Sequence, residues 1–368
     1  MNSYDIIYNK FLDDDHKTIT KGGIQTYISD LCDLITNENG RVRIVQFSDV
    51  DFTYNLSDNV KVVGFKINCN KNSKRFQKLY DAAVLSREEK DVITIFATDT
   101  MIPKNVNGIC IAIQHGIHWD IPKDTNRRLL RQIVSKVRLA YNIIKGLEKV
   151  RKVVCVDYNF LNWYRTHVDR VLDNIIVIPN YTRIAELYEK PCDSVNIIFA
   201  RRLFDYRGTR VFTIAVKRLL DEKENVTVTI AGDGPDEKWM RQQLESYPNV
   251  SFIQYEKQNS LEIHKDKHIA VVPTVGSEGT SLSLLEAMSA QCAVVCTNVG
   301  GITNIVLNNY NGKIVNAGDV DQLYQAIKEL IDNPESRERL AKTGYETVKY
   351  AFSYERWVNQ WSEVIKNI

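Results

Sequence analysis

Residues 269–288 read IAVVPTVGSEGTSLSLLEAM, and this stretch gives the clearest indication of the fold. Four apolar residues before a proline predict a buried strand that ends at Pro273. A glycine-containing loop follows, and Thr280 or Ser281 is a typical N-cap for the helix after it. A helix N-terminus after such a loop presents free backbone N–H groups, so the unit predicts an anion site suited to a diphosphate.

Two glutamates flank this predicted anion site. Glu278 lies in the loop, and Glu286 lies about one and a half turns into the helix. A carboxylate beside a bound phosphate repels it unless the carboxylate has another task, and accepting hydrogen bonds from sugar or ribose hydroxyls is a suitable one. Two glutamates at this spacing also occur on surface loops and helices without a ligand, so the pair alone is a weak indication.

Short β-branched runs alternate with helical patterns on both sides of this stretch. Predicted strands cover residues 4–8, 42–47, 60–65, 92–96, 109–114, 152–156 and 175–178, and then 196–200, 226–231, 250–253, 269–273, 293–297 and 312–315. Helical patterns lie between them, for example at residues 24–35, 209–220, 238–246 and 321–331. Alternating strands and helices predict parallel sheets covered by helices on both faces, and two such series predict two doubly wound domains.

The division between the two series falls near residues 180–195, where Pro179-Asn180 and a polar connector interrupt the pattern. We expect an N-terminal Rossmann-like domain at 1–182 and a C-terminal Rossmann-like domain at 183–352. Residues 354–366 predict an amphipathic helix with two tryptophans on one face. This last segment, 353–368, either packs on the second domain or crosses back towards the first.

The composition is typical of a soluble globular protein, with 44% hydrophobic and 26% charged residues among 368. The seven cysteines have no Cys-x-x-Cys spacing, which predicts reduced thiols rather than a zinc site or a redox motif. The N-terminus lacks a basic segment followed by an apolar one, and no apolar run approaches the length of a membrane span. The expected location is therefore the cytoplasm.

Positive charge is concentrated in the first half of the chain. Residues 1–185 hold 27 Lys and Arg against 21 Asp and Glu, whereas the remainder holds 21 against 25. Ten basic residues fall within 123–152, beside apolar residues at helical spacing. This pattern predicts contact with an anionic membrane at its cytoplasmic face, although a solvated basic helix has the same composition. Nucleic acid is an improbable partner, because the whole chain has a net charge of only +2 and no known binding module.

Several blocks together resemble glycosyltransferase family four, a family of retaining enzymes with the GT-B fold. Glu278, seven intervening residues, and Glu286 followed by Ala287-Met288 resemble its signature. Downstream, Gly300-Gly301 and Asn311-Gly312 match its next block. The resemblance covers nearly the whole second domain and several spaced points in the first.

A second block, FARRLFDYRGTRVF at residues 199–212, places several arginines around a turn between a strand and a helix. The family usually has Gly-Arg-Leu, three residues and Lys-Gly. Arg202 matches its arginine, Arg207 stands in place of the lysine, and Arg201 stands in place of the glycine. Guanidinium groups bind phosphate oxygens in a forked geometry, so the block predicts a diphosphate contact. A solvated basic turn is the alternative.

Four weaker matches complete the resemblance. They are Gly22-Gly23 before a helix, His115 at the end of a strand, Pro179-Asn180, and the turn containing Gly232 and Gly234. An ordinary turn would explain the first equally well, and a structural histidine is the alternative for the second. The last is not a dinucleotide fingerprint, because Glu237 occupies the third glycine position. Base contacts are expected from this turn and from residues 254–257.

The resemblance implies transfer of a sugar from a UDP- or GDP-sugar to a glycan or lipid-linked oligosaccharide, with retention and without a metal. The product class that it implies first is a surface polysaccharide or lipopolysaccharide, with the acceptor bound by the N-terminal domain. The implied catalytic residues are Glu278, His115, Arg202 and Arg207. The implied donor-binding residues are Gly22, Gly23, Asn180, Gly232, Gly234, Gly279, Thr280, Ser281, Leu282 and Glu286. A catalytically silent nucleotide-sugar-binding subunit and a nucleotide-sugar epimerase of the GT-B fold are the alternatives.

Overall fold

The computed structural model describes residues 2–69, 72–117, 119–120, 129–169, 173–191, 193–222, 225–256 and 259–368. Two mostly parallel β-sheets with helices on their faces form the framework of these residues. The first sheet contains β1 (Ser3–Ile7), β2 (Arg41–Ser48), β3 (Phe52–Ser57), β4 (Val60–Lys66), β5 (Val92–Phe96), β6 (Cys110–Gln114), β7 (Lys152–Cys155) and β8 (Ile175–Val177). The second contains β9 (Val195–Ala200), β10 (Val226–Ala231), β11 (Val250–Ile253), β12 (Ile269–Val272), β13 (Ala293–Thr297) and β14 (Lys313–Val315).

Helices follow most of the strands, as expected for crossover connections between parallel neighbours. Those in the described residues are α1 (Gly23–Asn37), α2 (Asn72–Leu85), α3 (Leu129–Leu147), α4 (Tyr158–Arg165), α5 (Thr209–Asp221), α6 (Glu237–Leu244), α7 (Leu282–Ser289), α8 (Val320–Asp332), α9 (Pro334–Ala351) and α10 (Tyr354–Lys366). The predicted strands are confirmed, each within a few residues of its expected ends. The strand β3 was not predicted. It is an antiparallel edge strand beside β4, and the residues of β3 are half-buried and exposed in alternation.

The strand order places one crevice in each sheet. The first sheet has the order β3-β4-β2-β1-β5-β6-β7-β8, so the order changes direction between β1 and β5. The second has the order β11-β10-β9-β12-β13-β14, and the change falls between β9 and β12. Ligands of open parallel sheets bind outside the carboxyl ends of the strands at such points. The loops after these four strands are therefore the expected site.

Each sheet has an apolar core on both faces, because successive side chains of a strand point to opposite sides. In β9, Ile197 and Phe199 belong to one core cluster of the second sheet, and Ile198 and Ala200 belong to the other. The first sheet is covered in the same way. This two-sided burial explains why the strands read as nearly continuous apolar runs.

The helix α10 packs on the first sheet, not on the second. Its residues Trp357 and Trp361 are fully buried within a core cluster of the first sheet that also contains Tyr27 of α1. The chain crosses between the sheets twice, and the two crossings are hydrogen bonded to each other. Thr182 donates its N–H to the carbonyl of Phe352 at 3.0 Å and accepts the N–H of Tyr354 at 3.1 Å. The two crossings therefore form a single paired connection.

The six described cysteines are all free thiols, and five of them are buried. Cys192 lies outside the described residues. Within the described part of the chain, no helix combines the length and the apolar character needed to cross a bilayer.

Candidate functional site

The loop after β12 reaches the centre of the space between the two sheets. Ser277 adopts a φ of 58°, which is uncommon for a residue with a side chain. Gly300 has a φ of 52°, and a Cβ there would lie 2.0 Å from the Glu278 carbonyl oxygen. Only glycine fits this approach, so the loop after β13 supports the Glu278 backbone directly.

The Glu278 carboxylate is buried and held by three donors on one oxygen. Its Oε2 accepts hydrogen bonds from Nη2 of Arg201 at 2.7 Å, from Oγ1 of Thr274 at 2.9 Å, and from Nη1 of Arg207. Burial alone would raise the pKa of Glu278, but the charges of Arg201 and Arg207 outweigh it, so that the pKa lies below its usual value. Glu278 is therefore ionised at neutral pH. Among the described residues, no hydrogen bond reaches Oε1.

The two neighbouring arginines of the predicted diphosphate block, Arg201 and Arg202, are placed differently. Arg201 is buried, and its Nη1 also donates to Thr274 at 2.7 Å. Arg202 is exposed, with its guanidinium 5.5 Å from the ring centre of Phe204. Its charge acts across the cleft on Tyr8, whose pKa is raised by burial and lowered in part by Arg202. Of the predicted catalytic residues, Arg207 contacts Glu278, whereas Arg202 is exposed at the cleft.

Glu286 lies in the second turn of α7 and is half-buried. Its neighbour Tyr255, which belongs to the segment 254–257 predicted to contact the base, has a pKa raised first by burial and then by the charge of Glu286. The turn at Gly232–Gly234 packs on the backbone of Arg201 and Leu203. These contacts bring the predicted turn, Tyr255 and Glu286 to one side of the Glu278 cluster. Of the expected base-contact segment 254–257, residue 257 lies outside the described residues.

The loops of the two sheets meet at Gly279. A Cβ on Gly279 would lie 3.1 Å from the His115 carbonyl oxygen, and a Cβ on Gly116 would lie 3.0 Å from Cα of Gly279. Thr280 donates its hydroxyl to the Val156 carbonyl, and Asn180 donates its side-chain amide to the Thr280 carbonyl at 2.8 Å. The loop after β12 is thus fixed by the first sheet as well as by the second.

The N-terminus of α7 lies directly beside this contact. Ser281 is its N-cap residue, but the Ser281 side chain makes no capping hydrogen bond. A Cβ on Gly23 would lie 3.1 Å from the Leu282 side chain, so the predicted glycine loop covers the first turn of this helix. Gly22 is the N-cap residue of α1. An uncapped helix N-terminus can donate its free N–H groups to an anion.

His115 is held in its neutral form at the end of β6. Burial lowers its pKa to about 4, and its Nε2 lies 3.0 Å from the Ala97 carbonyl oxygen. A carbonyl only accepts, so the proton of the neutral ring is assigned to Nε2, and Nδ1 is left as an acceptor. The edge of Tyr27 packs against the ring, with centres 5.3 Å apart.

Two buried carboxyl groups of the first sheet were not singled out from the sequence. Asp157 follows β7 and caps α4 through the N–H of Phe160 at 3.0 Å. Asp99 lies after β5, and burial raises its pKa to about 7. Within the described residues, Oδ2 of each aspartate is buried without a hydrogen-bond partner. Their only sequence signal was their position just after a buried strand.

The second half of the chain matches a known family. Residues 182–347 match the family model described as glycosyl transferases group 1, and they contain every strand of the second sheet together with Glu278, Glu286 and Arg207. The match supports the predicted resemblance at the level of group 1 glycosyl transferases, and the narrower assignment to family four stays a prediction.

Individual relatives match less than the whole chain. An uncharacterized glycosyltransferase of Methanocaldococcus jannaschii is 27% identical over 215 residues, which is 56% of this chain and 57% of the relative. The capsular polysaccharide biosynthesis glycosyltransferase CapM of Staphylococcus aureus is 26% identical over 176 residues, which is 46% of each protein. The chain spans about half the length of the curated relatives it matches.

Solved structures match over the full length. The crystal structure of Anabaena HepE in complex with UDP and glucose has a TM-score of 0.73 at 14% identity and covers 100% of both chains. The predicted GT-B fold is confirmed by such neighbours.

Proposed function

We propose that the protein is a glycosyltransferase that moves a sugar from a nucleoside diphosphate sugar to a glycan or lipid-linked acceptor. The observation that carries this proposal is the ionised Glu278 carboxylate, fixed by two arginines beside an uncapped helix N-terminus and opposite His115. Glycosyltransferases predominate among the relatives, and HepE has been crystallised with UDP and glucose. We extend the proposal to surface polysaccharide or lipopolysaccharide synthesis, in which CapM offers a precedent.

The donor would lie across α7. Its diphosphate would meet the N–H groups at Ser281 and Leu282, and a guanidinium of Arg207 or Arg202 would bind its oxygens. Oε1 of Glu278 is free to accept hydrogen bonds from sugar hydroxyls. Glu286, beside Tyr255, would accept hydrogen bonds from the ribose hydroxyls.

The transfer step proposed is a same-face substitution. The bond between the anomeric carbon and the diphosphate oxygen breaks, a bond to the acceptor oxygen forms on the same face, and the acceptor proton passes to the departing phosphate oxygen. Charge develops on the diphosphate, so Arg207, Arg202 and the helix N-terminus would stabilise the transition state without a metal. The ionised Glu278 would stabilise the positive character of the sugar ring.

The first sheet would supply the acceptor side. Nδ1 of neutral His115 can accept a hydrogen bond from a hydroxyl of the transferred sugar. Asp99 and Asp157 have unpartnered oxygens at the carboxyl ends of β5 and β7, and they are suited to an acceptor hydroxyl. Contact between Gly279 and the His115 backbone would exclude water from the reacting centre.

A screen of UDP- and GDP-sugars by thermal unfolding tests the donor half of the proposal. The correct donor is expected to raise the unfolding temperature by about 5 °C or more at about 100 times its dissociation constant, because it binds only the folded protein. Nucleoside monophosphates are the control, since they lack the diphosphate. If no nucleotide sugar or nucleoside diphosphate shifts the transition, the proposal is wrong.

Release of the free nucleoside diphosphate then separates the three possible roles. A transferase releases it in proportion to the acceptor supplied, after correction for hydrolysis. An epimerase interconverts nucleotide sugars without any acceptor. A silent binding subunit produces neither change while still binding the donor.

We also propose that α3 docks on an anionic membrane at the cytoplasmic face. Ala140, Ile143 and Leu147 anchor the helix on the first sheet. The part of the helix towards its N-terminus exposes large apolar side chains, namely Leu129, Leu130, Ile133, Val134, Val137 and Tyr141. Four cations and no acidic residue lie on the same helix. The stretch predicted to contact a membrane is 123–152, and residues 123–128 of it lie outside the described residues. An apolar ridge with surrounding cations suits the interface of an anionic bilayer.

Flotation with vesicles tests this docking. At low salt the protein is expected to float with vesicles that contain anionic lipid. With vesicles of neutral lipid alone, it should remain at the bottom of the gradient. The double variant Leu130→Glu/Val134→Glu should lower the bound fraction about tenfold or more, because it places charge in the apolar ridge. Leu85→Glu is the matched control, an equally exposed leucine on α2. Absence of wild-type flotation at low salt would contradict the docking.

A further inference from the structure

The Glu278 cluster contains more positive charge than its carboxylate can balance. Arg201 and Arg207 both donate to the same oxygen, so the buried cluster carries two cations and one anion. Two guanidinium groups that donate to the same oxygen repel each other, and a second anion would reduce this repulsion. The surplus is therefore available to a bound anion.

The two arginines are held differently. The Arg201 side chain is 5% exposed and has two partners, Glu278 and the Thr274 hydroxyl. The Arg207 side chain is 18% exposed and donates to Glu278, and its guanidinium lies 5.0 Å from the ring centre of Tyr206. Arg207 is thus the more exposed of the two arginines, and it can turn towards a ligand without taking a donor from Thr274.

We propose that Arg201 is a positioning residue that retains the Glu278 carboxylate when Arg207 exchanges Glu278 for the diphosphate of a bound nucleotide. This inference rests on the proposed function. The exchange costs little because Glu278 keeps a buried cation and the Thr274 hydroxyl throughout. Without Arg201, each binding event would leave a buried carboxylate without a counter-charge, which is costly.

The first test measures binding of UDP alone by calorimetry, or of GDP if the thermal screen selects guanine. Arg201→Met is expected to weaken binding about tenfold or more, because Arg207 is then the only cation that Glu278 has. Arg218→Met on α5 is the matched control, an exposed arginine paired with Asp321, and it should bind like the wild type.

The decisive test is the double variant Arg201→Met/Glu278→Gln. Neutral glutamine no longer retains Arg207, so the nucleotide affinity should return to within about threefold of the wild type. If the double variant binds as weakly as Arg201→Met, then Arg201 acts directly on the ligand or only on the fold, and the inference is wrong. Unchanged affinity of Arg201→Met would also overturn it.

Two further comparisons keep the outcomes distinct. If Arg201→Met does not fold, then Arg201→Gln and Arg201→Gln/Glu278→Gln replace it, since glutamine can still donate to Thr274. Circular dichroism checks the fold of every variant. Failure of the wild type to bind either nucleoside diphosphate would refute the proposed function, whereas wild-type binding without rescue would refute only the role of Arg201.

Discussion

Glu278→Gln is expected to lower kcat for sugar transfer by about 10²–10³-fold, a loss typical of removing one preorganised electrostatic group. The glutamine keeps the shape of the side chain but removes the charge that would stabilise a positive sugar ring. It also leaves Arg201 and Arg207 without their shared anion. Affinity for the nucleoside diphosphate should therefore stay equal or increase while kcat falls. Initial rates at saturating donor, together with calorimetric binding, measure the two effects separately.

The control for this substitution is Glu262→Gln. Glu262 is an exposed glutamate that pairs with Lys265, three residues along the chain. It should keep the wild-type kcat, because exposed pairs contribute little. A Glu278→Gln variant with kcat within threefold of the wild type would remove Glu278 from the mechanism.

Trp361→Ala is expected to lower the free energy of unfolding by about 3–5 kcal/mol, the usual cost of removing a buried tryptophan. Trp361 is fully buried and donates its indole N–H to the hydroxyl of Tyr27 at 2.6 Å. Removing it leaves a large cavity between α10 and the first sheet. Because Tyr27 also packs against His115, the rate of transfer should fall together with stability.

Urea unfolding, monitored by a circular dichroism signal that does not depend on tryptophan, measures this loss of unfolding free energy. Tyr350→Ala is the matched control, since Tyr350 is an aromatic residue on α9 with 70% of its surface exposed. It should change the free energy of unfolding by about 0.5 kcal/mol or less. A loss below about 1 kcal/mol for Trp361→Ala would mean that α10 does not hold the first domain together.

Much of the fold could be predicted because parallel strands buried on both faces have a strong local pattern. The runs at Ile197–Ile198 and Val294–Val295 contain only apolar residues, and the structure buries all of them. The strand β3 was missed because an edge strand exposes every second residue and lacks a continuous apolar run. The proposed domain limits, 1–182 and 183–352, stay predictions.

The candidate site could be predicted only in part, because spacing along the chain does not show which side chains turn inwards. The glutamates and Arg207 follow local motifs, and the structure places them around α7. Arg201 was missed as a partner of Glu278, since neighbouring arginines in a turn look alike until burial separates them. Thr274 carries no local motif, and Tyr255 was predicted only as one residue of the segment 254–257. The catalytic and donor-binding roles assigned from the resemblance stay predictions.

The packing of α10 has a consequence for the order of events during synthesis. Trp357, Trp361, Val364 and Ile365 complete a core whose other members come from the first sheet and its helices. The ribosome makes those earlier members first, then the whole second sheet, and α10 only afterwards. A nascent first domain therefore carries an open apolar cleft while the second domain folds. Chaperones that bind apolar segments should engage it during that interval and release it once α10 emerges.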